Sequence, residues 1–218
     1  EKISIPEFFR EAYLSGESLS GAVRKYMNTL FGEYGLTIID PNSKNLKATI
    51  KDIMTDDIIN NTIEKKEKSS EIDSDVYVRK INFFYLVSDF RERIDKNDKY
   101  NILSTKLSFT EEEIKNKINS SPESFSPNVI TRCLYQQRIL PNICYIGGPS
   151  EIVYWISFKK FFDHYNIPYP VLVPRDFVLL LTTKIQKLIN KLNLSSSDLF
   201  LDKKSIENKV LSIETDER

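Results

Sequence analysis

Between Ile143 and Val173 the chain spells out strand, tight turn, helix and strand, and this stretch constrains the fold more than any other. Ile143-Cys144-Tyr145-Ile146 is a short apolar run, and Gly147-Gly148 suits a backbone that bends sharply or approaches something closely. Pro149 has no N–H to leave unsatisfied in a first helical turn, and Glu151 sets negative charge near the positive end of that helix. Ile152, Val153, Ile156, Phe161, Phe162 and Tyr165 predict a wide buried stripe. Asn166-Ile167-Pro168 stops the helix, and Val171-Leu172-Val173 predicts a second strand. The unit reads as βαβ, with the Gly-Gly turn and Arg175 both at carboxyl ends of strands. In open α/β sheets that edge is where ligands bind.

The remaining elements follow in order. Pro6 to Tyr13 predicts a short aromatic helix and Ser15 to Ser20 a turn, with Ser20 as cap of a helix carrying Val23, Tyr26, Met27, Leu30 and Phe31. Gly32 and Gly35 end it. Leu36 to Asp40 predicts a buried strand stopped by Pro41, whose apolar face should find that of Ile143 to Ile146. Asn45 to Ile59 predicts a helix with Leu46, Ile50, Ile53 and Met54 on one side. Glu64 to Asp75 is almost wholly charged or Ser and reads as a solvated helix end and loop. Val76 to Leu107 predicts strands in a small antiparallel set, and Thr110 with Glu111 to Glu113 caps a helix through Ile118. Phe177 to Leu192 predicts a further helix, Ser195 to Asp198 a cap or turn, and Lys203 to Leu211 the start of another.

These elements predict an α/β fold with a parallel sheet core built on the βαβ unit. Residues 1–59 and 121–195 form its two parts, 60–120 an inserted α+β connector, and 196–218 the start of a helical region. Charge narrows the function classes: 31 basic residues balance 31 acidic ones, so nothing draws the chain as a whole to nucleic acid or an anionic membrane. No run of 18 apolar residues occurs. Cys133 and Cys144 are too few for a disulfide framework and lack zinc spacing, which suits a reducing cytoplasm. The chain begins at Glu1 rather than Met and reads as a piece of something longer.

Several residues are candidates for chemistry, each with a plainer alternative. Gly147-Gly148-Pro149 either holds an anion at the helix N-terminus or is a simple strand-to-helix turn. Arg132 and Arg175 either grip a carboxylate or phosphate or lie on the surface. Ser126-Pro127-Asn128 is a turn by chemistry, although Asn128 could also hold a ligand. One of Gln136 and Gln137 faces a polar cavity, and Trp155 and Tyr154 belong to the core. His164 complements the carboxyl end of its helix. There is no Walker loop, no G-x-G-x-x-G, no G-x-S-x-G and no metal-ligand cluster, so the residues name no catalytic group.

The run Ser126-Pro127-Asn128-Val129, Arg132, Tyr135-Gln136, Leu140-Pro141, Tyr145 to Pro149, Glu151-Ile152 and Tyr154-Trp155 closely resembles the cysteine-adding enzymes of bacillithiol biosynthesis. Leu30 to Leu36 with Ile39-Asp40-Pro41, Ile81 to Leu86 with Arg91 to Ile94, and Pro170 to Arg175 extend the resemblance over roughly residues 10–200. It implies a ligase that joins cysteine to glucosaminyl-malate, on a Rossmann-like core similar to class I aminoacyl-tRNA synthetases with connector insertions. It also implies a C-terminal coiled coil, beginning near Ser197, through which the longer protein forms a homodimer. ATP or another nucleotide is a candidate cofactor by the same likeness. Asn128, Arg132, Gln136, Gly147, Gly148, Glu151 and Arg175 are the expected substrate-binding residues, with the arginines on a carboxylate of malate or cysteine. Glu151 has the alternative of serving only the helix dipole. The family's N-terminal TGQQ-type and EDHD-type segments have no counterpart here, so the chain alone is expected to fold, to expose an apolar patch and to be inactive. Two rival readings are a non-catalytic binding or assembly module and a nucleotidyl-transfer enzyme of class I synthetase type.

Overall fold

The computed structural model describes residues 4–14, 18–70, 76–87 and 90–216, except for the side chains of 213–216. The chain divides into two compact units, Glu1–Pro174 and Arg175–Arg218.

In the first unit, α1 (Glu7–Leu14) packs on α2 (Leu19–Phe31) through aromatic rings, with Phe9 edge-on to Tyr26 at 5.2 Å. Ser18, not Ser20, caps α2: its Oγ accepts from Gly21 N at 3.2 Å, and Ser20 already lies inside the helix. Residues 15–17 of the predicted turn lie outside the described residues. Gly35, with φ 78°, closes a 3-10 turn at Gly32–Tyr34 in a conformation that favours glycine.

Leu36 to Asp40 is not a strand. An apolar run becomes a strand only when a neighbour takes its backbone groups, and Cys144–Gly147 pairs with Val171–Pro174 alone. Ile38 and Ile39 instead line a surface groove with Leu19 and Val23 of α2, while Tyr135 Oη donates to Pro41 O at 2.8 Å.

The predicted helix over 45–59 is broken. It forms α3 (Lys44–Ala48) and α4 (Lys51–Thr55), and α4 runs into a π turn at Asp56–Asn60. The break falls at Thr49, whose Oγ1 donates to Leu46 O at 2.7 Å, the local competition with the backbone expected of a hydroxyl side chain. Ile50, Ile53 and Met54 are nonetheless fully buried. Asn61, at φ 55°, turns the chain into α5 (Thr62–Lys68). The charged run continues into 71–75, outside the described residues.

An antiparallel sheet follows, built from β1 (Phe83–Val87), β2 (Phe90–Lys96), β3 (Tyr100–Ile102), β4 (Ser108–Phe109) and β5 (Phe125–Pro127) in the order β4-β3-β2-β1-β5. Alternation buries Phe83, Tyr85, Ile94, Tyr100 and Ile102 on one face. Phe84, Arg91 and Arg93 fall on the other. α6 (Glu111–Ser120) starts at a full capping box between Thr110 and Glu113 and buries Ile114 and Ile118.

β6 (Cys144–Gly147), α8 (Pro149–His164) and β7 (Val171–Pro174) form the βαβ unit, with β6 and β7 parallel in the register Cys144↔Val171 to Gly147↔Pro174. Its helix buries Phe161 and Phe162 of the predicted stripe but leaves Val153 and Ile156 outside. Trp155, Phe158, Phe161 and Phe162 are buried, while Val153 is 47% and Ile156 61% exposed. Aromatic area decides this: Trp155 stacks on Tyr145 at 4.1 Å and lies 5.4 Å from Phe162. The fold is therefore mixed, a parallel pair beside a five-stranded antiparallel sheet, and one core runs from Ile50 through Phe83, Phe125 and Leu134 to Trp155. α7 (Val129–Ile139) crosses that core.

In the second unit the helix expected from Phe177 begins only at α9 (Thr183–Lys191), because Thr182 caps it by accepting from Ile185 N at 3.3 Å. α10 (Lys203–Asp216) is tied to the Ser195–Asp198 turn by Lys209 Nζ on Asp198 Oδ1 at 2.6 Å. Among the described residues no helix is long and apolar enough to cross a membrane.

Candidate functional site: a cationic cleft beside the Gly-Gly turn

Ser126-Pro127-Asn128 is a strand-to-helix junction rather than a free turn. Ser126 and Pro127 pair with β1, and Asn128 caps α7, its Oδ1 accepting from Ile130 N at 2.9 Å and Thr131 N at 3.1 Å. Asn128 Nδ2 donates to Asn82 Oδ1 at 2.9 Å. Asn82 in turn donates to Asp57 twice, from its backbone N at 2.6 Å and from Nδ2 at 2.9 Å. A buried chain of polar groups thus runs from the π turn to the start of α7. Burial drives the Asp57 carboxyl up to about 7, against the pull of the two Asn82 bonds.

One turn into α7, Arg132 donates from Nη1 to Gln136 Oε1 at 2.9 Å and from Nη2 to Tyr154 Oη at 3.1 Å. Beside it, Tyr145 Oη donates to Glu151 Oε1 at 3.1 Å, and Glu151 Oε2 accepts from Gly148 N at 2.8 Å. Burial first, then the Glu151 charge, raises the Tyr145 phenol. Gly147 is needed for the approach of these groups: a Cβ there would lie 2.7 Å from Tyr145 Cε1 and 3.3 Å from Glu151 Cβ. The structure therefore gathers Arg132, Gln136, Gly147, Gly148 and Glu151 in one place, with Tyr145 and Tyr154 between them. Glu151 already supplies negative charge at the start of α8, so a bound anion there would meet a carboxylate.

Arg132 also faces a cleft of about 350 Å3 that it lines with Lys47, Arg91, Ser126, Asn42 and Tyr135. Lys47 is 3% exposed and donates from Nζ to Phe125 O at 2.5 Å. Burial, then the Arg91 charge, lowers it to about 8. Arg91 stacks at 3.7 Å over the Phe84 ring and donates to Ser126 Oγ at 2.8 Å and Pro127 O at 2.7 Å. Among the described residues none of these three cations has a carboxylate within ion-pair distance. Three positive groups held by neutral acceptors can take an anion without first breaking a salt bridge.

The sequence reading missed Lys47 and Arg91 as site residues. Lys47 could have been found as a cation at i, i+3 and i+7 with Ile50 and Met54, on the buried stripe itself. Tyr154, read as core, is half-buried and on Arg132. Gln136 meets Arg132, whereas Gln137 is buried and donates to Asn142 O at 2.8 Å. Arg175 is exposed and belongs to the second unit. His164 ends α8, 3.7 Å from Asp56 Oδ2. Burial pushes the Cys133 thiol up to about 12, which makes it inert. No group of His, Cys, Asp or Glu that could hold a metal occurs among the described residues.

Residues 1–176 match the sequence profile of the family described as "Bacillithiol biosynthesis BshC, N-terminal Rossmann-like domain". The chain belongs to the BshC family. Its similar proteins include three named "Putative cysteine ligase BshC". The one from Flavobacterium johnsoniae is 40% identical over 213 residues, 95% of this chain and 40% of the relative. That from Flavobacterium psychrophilum is 38% identical over 203 residues, 90% of this chain and 38% of the relative. That from Salinibacter ruber is 30% identical over 207 residues, 90% of this chain and 38% of the relative. The chain thus spans about two fifths of the length of these BshC relatives. The matched residues coincide almost entirely with the first unit, which carries the cationic cleft.

Proposed function

We propose that the first unit supplies one part of the active site of a ligase that adds cysteine to glucosaminyl-malate, and that Lys47, Arg91 and Arg132 bind substrate carboxylates. The observation that carries this reading is the cleft itself, three cations that among the described residues have neutral partners only. The malyl group presents two carboxylates and cysteine a third, and a guanidinium fork matches a carboxylate edge to edge. Gln136 and Tyr154 hold the Arg132 fork in position, and Asn128 fixes the helix that carries it. Gly147, Gly148 and Glu151 shape the adjoining wall through Tyr145.

The residues at the start of α8 do not fit a nucleotide's phosphates, since the Glu151 carboxylate takes the Gly148 N–H. No step is drawn through a nucleotide. The β6–β7 pair belongs to a larger parallel sheet: Ile143 is 88%, Ile146 66% and Val171 63% exposed, whereas parallel strands are normally covered on both faces. On this view residues 1–59 and 121–195 are two parts of the Rossmann-like core, with 60–120 as connector. The helical region from 196 leads into the coiled coil through which the longer protein pairs with a second copy. The free Cys133 and Cys144 suit the reducing cytoplasm.

The test uses protein of the relatives' full length with cysteine and glucosaminyl-malate as substrates. Losing one charge-assisted contact costs about 1.5–3 kcal/mol, so Lys47→Ala, Arg91→Ala and Arg132→Ala should each lower kcat/KM roughly 10- to 100-fold. The 218-residue chain alone should not turn over. Wild-type rates in all three variants would sink the assignment of the cleft.

A further inference from the structure

A second cationic cleft lies on the same outer face of the antiparallel sheet. β1 and β2 pair from Val87↔Phe90 to Phe84↔Arg93 and no further. Before Phe83 the chain parts from the end of β2, and a cavity of about 210 Å3 opens between them. Tyr77, Arg79, Lys80, Phe84, Arg93 and Lys96 line it, with Asp95 as the single carboxylate of the lining. Among the described residues Arg79, Lys80 and Arg93 have no carboxylate at ion-pair distance. Lys96, at the rim, falls on the other face of β2 with Ile94, its ammonium over the Tyr100 ring and 3.7 Å from Glu111.

The wall is built rather than loose. Asn82, 1% exposed, clamps the Arg79 backbone from both sides, accepting from Arg79 N at 3.1 Å and donating to Arg79 O at 2.8 Å. The Arg79 guanidinium lies over the Tyr77 ring at 5.1 Å, and Arg93 stands directly opposite Phe84 in the sheet register. Arg91 stacks over Phe84, so that ring pair forms the partition between this cleft and the one containing Arg132.

We propose that this cleft binds a compact, multiply charged phosphate anion, at a site separate from the Arg132 cleft. Among the described residues three cations without an ion pair, Arg79, Lys80 and Arg93, against one lining carboxylate call for a ligand carrying two or more negative charges. The small volume calls for charge packed into few atoms. Two guanidinium forks and an ammonium point charge also suit oxygens spread over a tetrahedral group better than a flat carboxylate.

The experiment is calorimetric titration of the 218-residue chain with inorganic pyrophosphate, with citrate as a carboxylate of similar charge. Pyrophosphate should bind at low salt, and in the Arg132→Ala chain at least 10-fold more tightly than citrate. Arg79→Ala and Arg93→Ala should each weaken it at least 10-fold, whereas Arg132→Ala should leave it within about 2-fold. Lys80→Ala, at an exposed position, serves as a third variant should either arginine change alter the far-ultraviolet spectrum, and it should weaken binding several-fold. The proposal is overturned if pyrophosphate does not bind. It is equally overturned if citrate binds as tightly and Arg79→Ala or Arg93→Ala weakens that binding, or if pyrophosphate binding survives the cleft variants and disappears with Arg132→Ala.

Discussion

Asp57 offers the sharpest test of the structure, because its environment fixes both the sign and the size of a pH effect. The residue is fully buried, faces the negative charges of Asp56 and Glu64, and receives two hydrogen bonds from Asn82 but no cation. Burial raises its carboxyl from 3.8 to about 7. The folded state therefore holds a proton that the unfolded state releases. The contribution is fully present below the unfolded value and is lost as pH rises towards about 7. A shift of about three units corresponds to about 4 kcal/mol in all, of which roughly 2 to 3 kcal/mol falls between pH 5 and pH 7.5. Urea unfolding followed by the fluorescence of Trp155, the sole tryptophan and a core residue of the first unit, reads that unit directly. With a slope of about 1–3 kcal/mol per M, the midpoint should fall by roughly 1–2 M from pH 5 to pH 7.5. Asp57→Asn should cost about 1–3 kcal/mol at pH 5 by turning an amide donor towards Asn82, but its midpoint should vary far less over this range. Equal pH dependence in the two proteins would refute the reasoning, since the two differ in this one carboxyl alone.

Three further outcomes follow from single contacts. Gly147→Ala should cost about 1–3 kcal/mol and change Trp155 emission, because the new methyl displaces Tyr145 from its stack on Trp155; an unchanged melting temperature would count against the packing at the turn. Asn128→Ala removes both cap bonds of α7 and one bond of Asn82, and should lower stability by about 1–3 kcal/mol in thermal unfolding, with Asn128→Asp recovering part of it. A thiol reagent should label the exposed Cys144 in the native chain and reach Cys133 only in urea; rapid labelling of both would show that the inner face of α7 is open.

Local chemistry made part of this fold legible. Gly-Gly-Pro followed by Glu151 fixes a strand-to-helix turn within five residues, and the Thr110–Glu113 capping box sits within four, so both can be read without knowing any partner. Arg132 and Gln136 stand one helical turn apart, and their pairing follows from spacing alone. Leu36 to Asp40 was illegible for the opposite reason. Whether an apolar run becomes a strand depends on a neighbour about a hundred residues away, and β6 spends its pairing on β7. The buried face of α8 was misjudged because Val153 and Ile156 are as apolar as the residues that win, and only the Tyr145 and Phe162 rings decide for Trp155. Two of the cleft's three cations escaped because Lys47 and Arg91 come from elements separated from Arg132 by more than forty residues of chain.

Lys47 reaches from α3 to the carbonyl of Phe125, bridging 78 positions of sequence with a single ammonium group. The charge that faces the cleft is thus also a strut of the scaffold, and whatever occupies the cleft acts on the strut. A ligand that satisfies the remaining ammonium protons adds its binding energy to the fold, so at a hundred times its Kd it would stabilise the unit by about 2.7 kcal/mol. Melting temperature then becomes a gauge of occupancy that needs no turnover. Candidate carboxylates can be ranked by the heat they let the protein withstand, even where the chain by itself performs no reaction.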